Sequence, residues 1–293
     1  MFSVGRILEG AFGVIREHFV AVLIWAGLYL AASIAILMTT APLMRSAMGD
    51  PGALMAAMVP IYLLNLLLGL VGLVIYTAAM RAVLRPQAGG LAYLRLGMDE
   101  LRIFGLTLIF VIAGVAAGFG FSLLLGVLGM GAMAASQSAL GSMIFGFVLV
   151  LALVSIVVFL MIRFALAFPL TLHRRRIVIG EAWRISRGRF WKLFGAALVI
   201  TLIGMAMSIA VASFAMGSYF ADLMAASGNP EAAAAVAEQQ MESVGMLSPG
   251  MILQSVASAL VGAIWIALSA GSTATAAKLL VEDEFDDAEE VFG

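Results

Sequence analysis

The chain contains no cysteine, which excludes disulfides, thiolate-held metals, iron–sulfur clusters and a cysteine nucleophile together. Histidine occurs only as His18 and His173. Neither has partners at ligand spacing, so no metal centre is expected. Charge is scarce as well: 11% of the residues are Asp, Glu, Lys or Arg, where a soluble domain carries roughly a quarter. Because 63% are apolar, too few polar side chains remain to coat a water-soluble fold, and lipid is the implied solvent for much of the chain. The apolar runs hold no carboxylate, which removes the usual mark of ion-coupled transport. There is no H-E-x-x-H, no P-loop and no nucleophile with a base at helical spacing, so neither an enzyme nor a cofactor site is expected. A nucleic-acid partner is not expected either.

What the chain does have is six continuous apolar runs, at 20–41, 59–80, 104–130, 143–168, 193–220 and 250–277. Each meets the ~20 helical residues needed to cross a bilayer core of about 30 Å. They do not alternate and are too long for barrel strands, so the class is all-α. The third and fourth runs are parted only by the small uncharged stretch around 134–138, which predicts a helical hairpin.

Basic residues punctuate these runs on one side. Arg6, Arg16, Arg81, Arg85, Arg95, Arg102, Arg174, Arg175, Arg176, Arg184, Arg187, Arg189, Lys192 and Lys278 fall together in a six-span thread, Arg45 falls opposite, and Arg163 lies inside a run. The opposite loops carry Asp50, Asp222, Glu231, Glu238 and Glu242 instead. The positive-inside rule then places both termini in the cytoplasm. The first eighteen residues are too charged for a signal peptide. Their apolar positions Val4, Ile7, Leu8, Ala11, Phe12, Ile15 and Phe19 recur at helical spacing behind a candidate N-cap, Ser3, which predicts an interfacial helix.

A shift of 90 residues lays Gly90-Leu-Ala-Tyr93 over Gly180-Glu-Ala-Trp183, and Arg102-Ile-Phe-Gly105 over Lys192-Leu-Phe-Gly195. The expected architecture is therefore one six-span membrane domain, residues 1–281, made of three transmembrane hairpins, each preceded by a cytoplasmic interfacial amphipathic helix. Possible repeats cover 1–88, 89–176 and 177–281. The alternative is that any interfacial helix leading into a span shows similar basic and aromatic punctuation. Residues 282–293 hold seven acids and are expected to be a disordered tail, or a docking motif for a protein partner or for the chain's own arginines.

The most informative stretch runs from Arg163-Phe-Ala-Leu-Ala-Phe-Pro169 through the Arg174–Arg176 triplet to Gly180-Glu-Ala-Trp-Arg-Ile-Ser-Arg-Gly-Arg-Phe-Trp-Lys-Leu-Phe-Gly195. It resembles the membrane domain of the glycerophosphoryl diester phosphodiesterase family and the stand-alone bacterial six-span proteins related to it. The resemblance is sharpest over 160–200. It implies a bacterial cytoplasmic-membrane protein linked to lipid or envelope homeostasis. In that family a soluble phosphodiesterase barrel follows the membrane domain, whereas here only the acidic stretch follows the sixth run. The family usually has an acidic residue soon after the proline, where this chain has His173 and three arginines.

Candidate site residues follow from these patterns. Arg163, Asn65 and Gln254 are the intramembrane polar candidates. Arg163 is expected to bond carbonyls freed by Pro169 or a carboxylate such as Glu181, Asp99 or Glu100, or else to face a substrate anion. Asn65 and Gln254 read as interhelical hydrogen-bonding residues. Arg174, Arg175, Arg176, Arg184, Arg187, Arg189 and Lys192 are candidate contacts to anionic lipid, each contributing about 1 kcal/mol near a charged leaflet, or simply topology anchors. The expected function is a non-catalytic membrane module, an anchor or scaffold. The alternative is a transporter or channel for a lipid or small amphiphile.

Overall fold

The computed structural model describes residues 2–47, 50–88, 90–135, 139–243 and 249–292. Local chemistry sets where its helices start. Ser3 Oγ accepts the Arg6 N–H at 3.3 Å and opens α1 (Val4–Glu17), which leads into α2 (Phe19–Ser46). Asp50 Oδ1 accepts from the Gly52 N–H at 2.8 Å, and Pro51, whose missing N–H costs nothing at a first position, opens α3 (Pro51–Leu84). Glu100 Oε2 reaches back to the Gly97 N–H at 3.0 Å at the head of α4 (Met98–Ala135). The remaining helices are α5 (Ala139–Ala165), α6 (Ala167–Arg174), α7 (Ile179–Ile185), α8 (Phe190–Ala225), α9 (Pro230–Ser243) and α10 (Pro249–Phe292). Asn229 and Pro230 start α9 as the N-cap and N1 proline predict, with Asn229 Oδ1 accepting from the Glu231 and Ala232 N–H groups at 3.1 and 3.3 Å. No strand occurs among the described residues.

Among the described residues, six stretches are long and apolar enough to cross a membrane: Phe19–Met44, Pro51–Leu84, Leu91–Leu128, Met143–Arg174, Phe190–Phe214 and Ile252–Asp283. Each overlaps one of the six predicted runs. Side chains such as Val115, Phe119, Leu123, Phe147 and Val148 stand exposed along α4 and α5. A surface of this kind is at home in lipid. The chain is an integral membrane protein. The predicted turn at 134–138 lies largely outside the described residues, which resume with α5.

Two compact units divide the chain. One comprises Met1–Phe2, Leu96–Phe194 and Ala276–Gly293; the other comprises Ser3–Arg95 and Gly195–Thr275. In the second unit α2 packs on α3, and α1 packs on both. Ala11 of α1, Ile200 of α8 and Leu268 of α10 form a buried core with Leu8, Ile15, Ile203 and Ile264 against it. The approach is close enough to require glycine: a Cβ on Gly271 would lie 2.9 Å from Val14 Cγ2 and 3.1 Å from the Ala11 backbone. At Gly204 the same atom would meet the Trp265 indole at 2.8 Å. Gly114 and Gly118, in contrast, have open space beside them.

α1 forms behind Ser3 where a helix is predicted, and on its apolar face Ile7 and Ala11 are buried within the protein while Phe12 is exposed. Several expectations need correction. Among the described residues between α3 and α4 there is no α-helix: two single 3-10 turns, Pro86–Ala88 and Leu91–Tyr93, occupy that place. The third predicted interfacial helix is split. α7 is only seven residues long, Gly188 turns the chain at φ 77°, and Phe190, Leu193 and Phe194 belong to α8. Residues 282–292, expected to be disordered, continue α10 as helix.

Candidate functional site

In the unit built around α4–α7, one proline sets the local geometry. Pro169 cannot donate to the carbonyl four residues back, and its ring clashes with that carbonyl, which belongs to Ala165. α5 accordingly ends at Ala165, and α6 restarts at Ala167 with Pro169 in its first turn. Arg163 is thereby placed in the last turn of α5, where free carbonyls and the negative end of the helix favour a cation.

The Arg163 side chain is only 7% exposed. Its guanidinium carbon lies 4.2 Å from the centroid of the Trp183 ring and 5.3 Å from that of Phe159. Trp183 also packs against Phe159 and Phe164, with centroids 6.2 and 5.4 Å away. The expected hydrogen bonds to carbonyls and the expected carboxylate partner are not found among the described residues, and Arg163 Nε is buried without an acceptor. Glu181 is bonded instead to Arg174, Asp99 pairs with Arg102 at 3.0 Å, and Glu100 is buried at the α4 N-terminus. Each desolvated aromatic face contributes about 2 kcal/mol and the helix end up to ~2 kcal/mol, against an effective penalty of several kcal/mol for burying the ion. Arg163 therefore sits near energetic balance and holds one unanswered donor. Thr171 Oγ1 on α6 is a second buried group without a partner.

Beyond α6 the backbone turns sharply. Arg175 caps α6 in the left-handed region, at φ 54° and ψ 29°, so the arginine triplet does not continue along one helix. Arg174 then meets Glu181 of α7, with Nε 3.0 Å and Nη2 2.9 Å from the same oxygen, Oε1. An open cavity of about 620 Å³ lies in this turn, lined by Arg174, Arg176, Arg184, Gly180 and Glu181, with Ile177 and Val178 as its apolar part. Three of the seven basic residues predicted to meet lipid thus gather around one space.

The other four are placed differently. Arg175 is exposed at the turn, and Arg187 is exposed beyond α7. Arg189 Nη2 lies 3.5 Å from Asp283 Oδ2 and its guanidinium is 5.8 Å from the centroid of the Phe2 ring. Lys192 Nζ donates to the Phe2 carbonyl at 3.0 Å. Trp191, 77% exposed at the start of α8, has the placement of a boundary anchor.

The intramembrane polar trio is divided between the two units. Asn65 and Gln254 belong to the other unit. Asn65 Nδ2 donates to Ile61 O of its own helix at 2.9 Å, with no partner on another helix among the described residues. Gln254 is half-buried. Thr171, Ile177 and Val178 were not singled out from sequence, and Gly180 entered only as a match in the possible repeat and the family resemblance. Only the stop at Pro169 and the arginines around them carried a signal. No family model, curated protein or solved structure matches the chain.

Proposed function

We propose that this chain is a non-catalytic membrane module, an anchor or scaffold tied to lipid or envelope upkeep, in the bacterial cytoplasmic membrane with both termini in the cytoplasm. The observation that carries the reading is the gathering of Arg174, Arg176 and Arg184 around one cavity where the fourth apolar stretch ends. Arginines concentrated there match an anionic inner leaflet, which attracts basic residues within about a Debye length. The one-sided distribution of the other basic residues supports the same orientation. The resemblance of residues 160–200 to the membrane domain of glycerophosphoryl diester phosphodiesterases supports the link to lipid.

Reporter fusions at Gly49 and Ala226 test the topology, and both loops should report outside the cytoplasm. Purification in mild detergent, with co-purifying proteins and lipids identified, tests the role. A stoichiometric soluble hydrolase supports the module reading, and its absence together with cytosolic reporters overturns it.

A transport reading retains one specific observation, the unanswered donor of Arg163 inside a span. In that reading Arg163→Leu keeps membrane level and fold and abolishes the cellular phenotype. An unchanged phenotype excludes it.

A further inference from the structure

We propose that the cavity between α6 and α7 binds an anionic phosphate ester, presented by a glycerophospholipid headgroup. The inference deepens the membrane-module reading and rests on it, because it needs this turn to lie at the leaflet surface.

Charge comes first. Three arginines and one glutamate line the space, and that glutamate already holds Arg174 through Oε1. Arg184 has an interaction of its own, and the lining as a whole still carries more positive than negative charge. Arg176 has no hydrogen-bond or ion-pair partner among the described residues. Guanidinium groups present planar forks of N–H donors that match phosphate oxygens and cannot be deprotonated to relieve their repulsion. Within the cavity Glu181 is a positioning residue: it fixes the Arg174 fork and leaves the Arg176 fork for the ligand.

Size comes second. About 620 Å³ lies within the range of roughly 300–1,000 Å³ that holds small organic ligands. A lone oxyanion would leave most of it empty, whereas a glycerophosphate group has the right scale. Gly180 forms a wall with open space where a Cβ would be, so the backbone there does not obstruct a ligand.

The apolar rim argues for a membrane source. Ile177 is 45% exposed on the cavity, and its Cδ1 lies 4.0 Å from where a Cβ would stand on Gly105 of α4. From Gly105 the exposed side chains Leu108, Ile109 and Ile112 continue along α4. The arginine-lined space therefore opens onto a ridge that suits acyl chains. A soluble phosphate ester would share the arginines and make no use of that ridge.

The test uses the full chain, delipidated in detergent and titrated separately with phosphatidic acid, phosphatidylglycerol, phosphatidylcholine and sn-glycerol 3-phosphate. Bound ligand is read by native mass spectrometry. The expected result is preferential retention of the two anionic lipids, weakened at least about tenfold by Arg176→Gln with Arg184→Gln, since each lost bond is charge-assisted. Gly180→Leu should block binding with every charge intact. Arg16→Gln, exposed on α1 and outside the cavity lining, should leave it unchanged. If the double glutamine variant does not purify as a monodisperse protein, Arg176→Lys with Arg184→Lys replaces it: charge is kept, the fork is lost, and binding should still weaken. Glycerol 3-phosphate binding as tightly as the lipids, and lost in the same variants, would keep the phosphate-ester site and move its source to solution. Equal retention of phosphatidylcholine, or anionic-lipid binding indifferent to both the charge variants and Gly180→Leu, overturns the proposal. If the loop reporters invert while the cavity still binds, the function reading fails and the site stands. Correct topology with no binding removes the site alone.

Discussion

Two buried arginines lie near the ends of apolar helices in the two units, and they are answered differently. Arg81, 3% exposed in the last turn of α3, donates through Nη1 to the Tyr93 carbonyl at 2.6 Å. Next to it Trp25 Nε1 donates to the Ala92 carbonyl at 2.9 Å. Ala92 and Tyr93 both have positive φ, 52° and 59°, a conformation that costs a non-glycine residue of order 1–3 kcal/mol unless its surroundings hold it. Two buried donors on two consecutive carbonyls supply that hold. Arg163, at the corresponding end of α5, meets aromatic faces and keeps an idle Nε. One arginine pins a strained loop, whereas the other is sheltered without being satisfied. Burial alone does not separate a structural cation from a poised one; hydrogen bonding does.

The largest expected effect comes from breaking the first case. Arg81→Met strands the Tyr93 carbonyl and releases the loop, at a cost of about 1–3 kcal/mol. Thermal unfolding in detergent, followed by size-exclusion profiles, measures it. Arg163→Met should behave oppositely: removing an under-answered buried charge for an apolar chain of similar length is neutral or stabilising by ~1 kcal/mol. Equal destabilisation by the two substitutions would erase the distinction between them.

A smaller effect sharpens the aromatic side of the comparison. Trp183→Leu removes the face 4.2 Å from the guanidinium and should cost about 0.5–2 kcal/mol through this contact. In the Arg163→Met background that share of the loss should vanish. The double-mutant cycle isolates it, and a coupling energy near zero would show that Trp183 covers Arg163 by packing alone.

The contrast between the arginines also marks how far the sequence could be read. Hydropathy located the six long apolar helices found among the described residues, because a continuous apolar run this long satisfies its backbone in lipid as a helix. The cap at Ser3 was legible because it acts on its own next turn. The break in the fourth span falls at Ala165 and not at Pro169, since the ring acts one helical turn upstream. The interfacial helices were less legible where partners distant in sequence decide. On the apolar stripe of α1, Ala11 packs with Ile200 of α8 and Leu268 of α10, and the stretch after Gly90 is held in left-handed turns by Trp25 and Arg81. Arg163 was expected to find a carboxylate, but Glu181 is already taken by Arg174. A search for opposite charge could not have identified a tryptophan as its neighbour. The cavity was legible only as a cluster of arginines, because its shape depends on Arg175 turning left-handed.

Arg189 offers a third way of answering an arginine, and the smallest effect. It is partly exposed, 3.5 Å from Asp283 and near the Phe2 ring. Such a pair is worth about 0.2–1 kcal/mol and weakens with salt. Asp283→Asn should therefore lower stability slightly at low ionic strength and have no measurable effect near 0.5 M salt, where the Debye length is only a few ångströms. The Arg81 and Arg163 substitutions should be indifferent to salt, since both groups are shielded from the ions. If Asp283→Asn instead costs as much as Arg81→Met at every salt concentration, the acidic end of α10 is integral to its unit and no longer a peripheral extension.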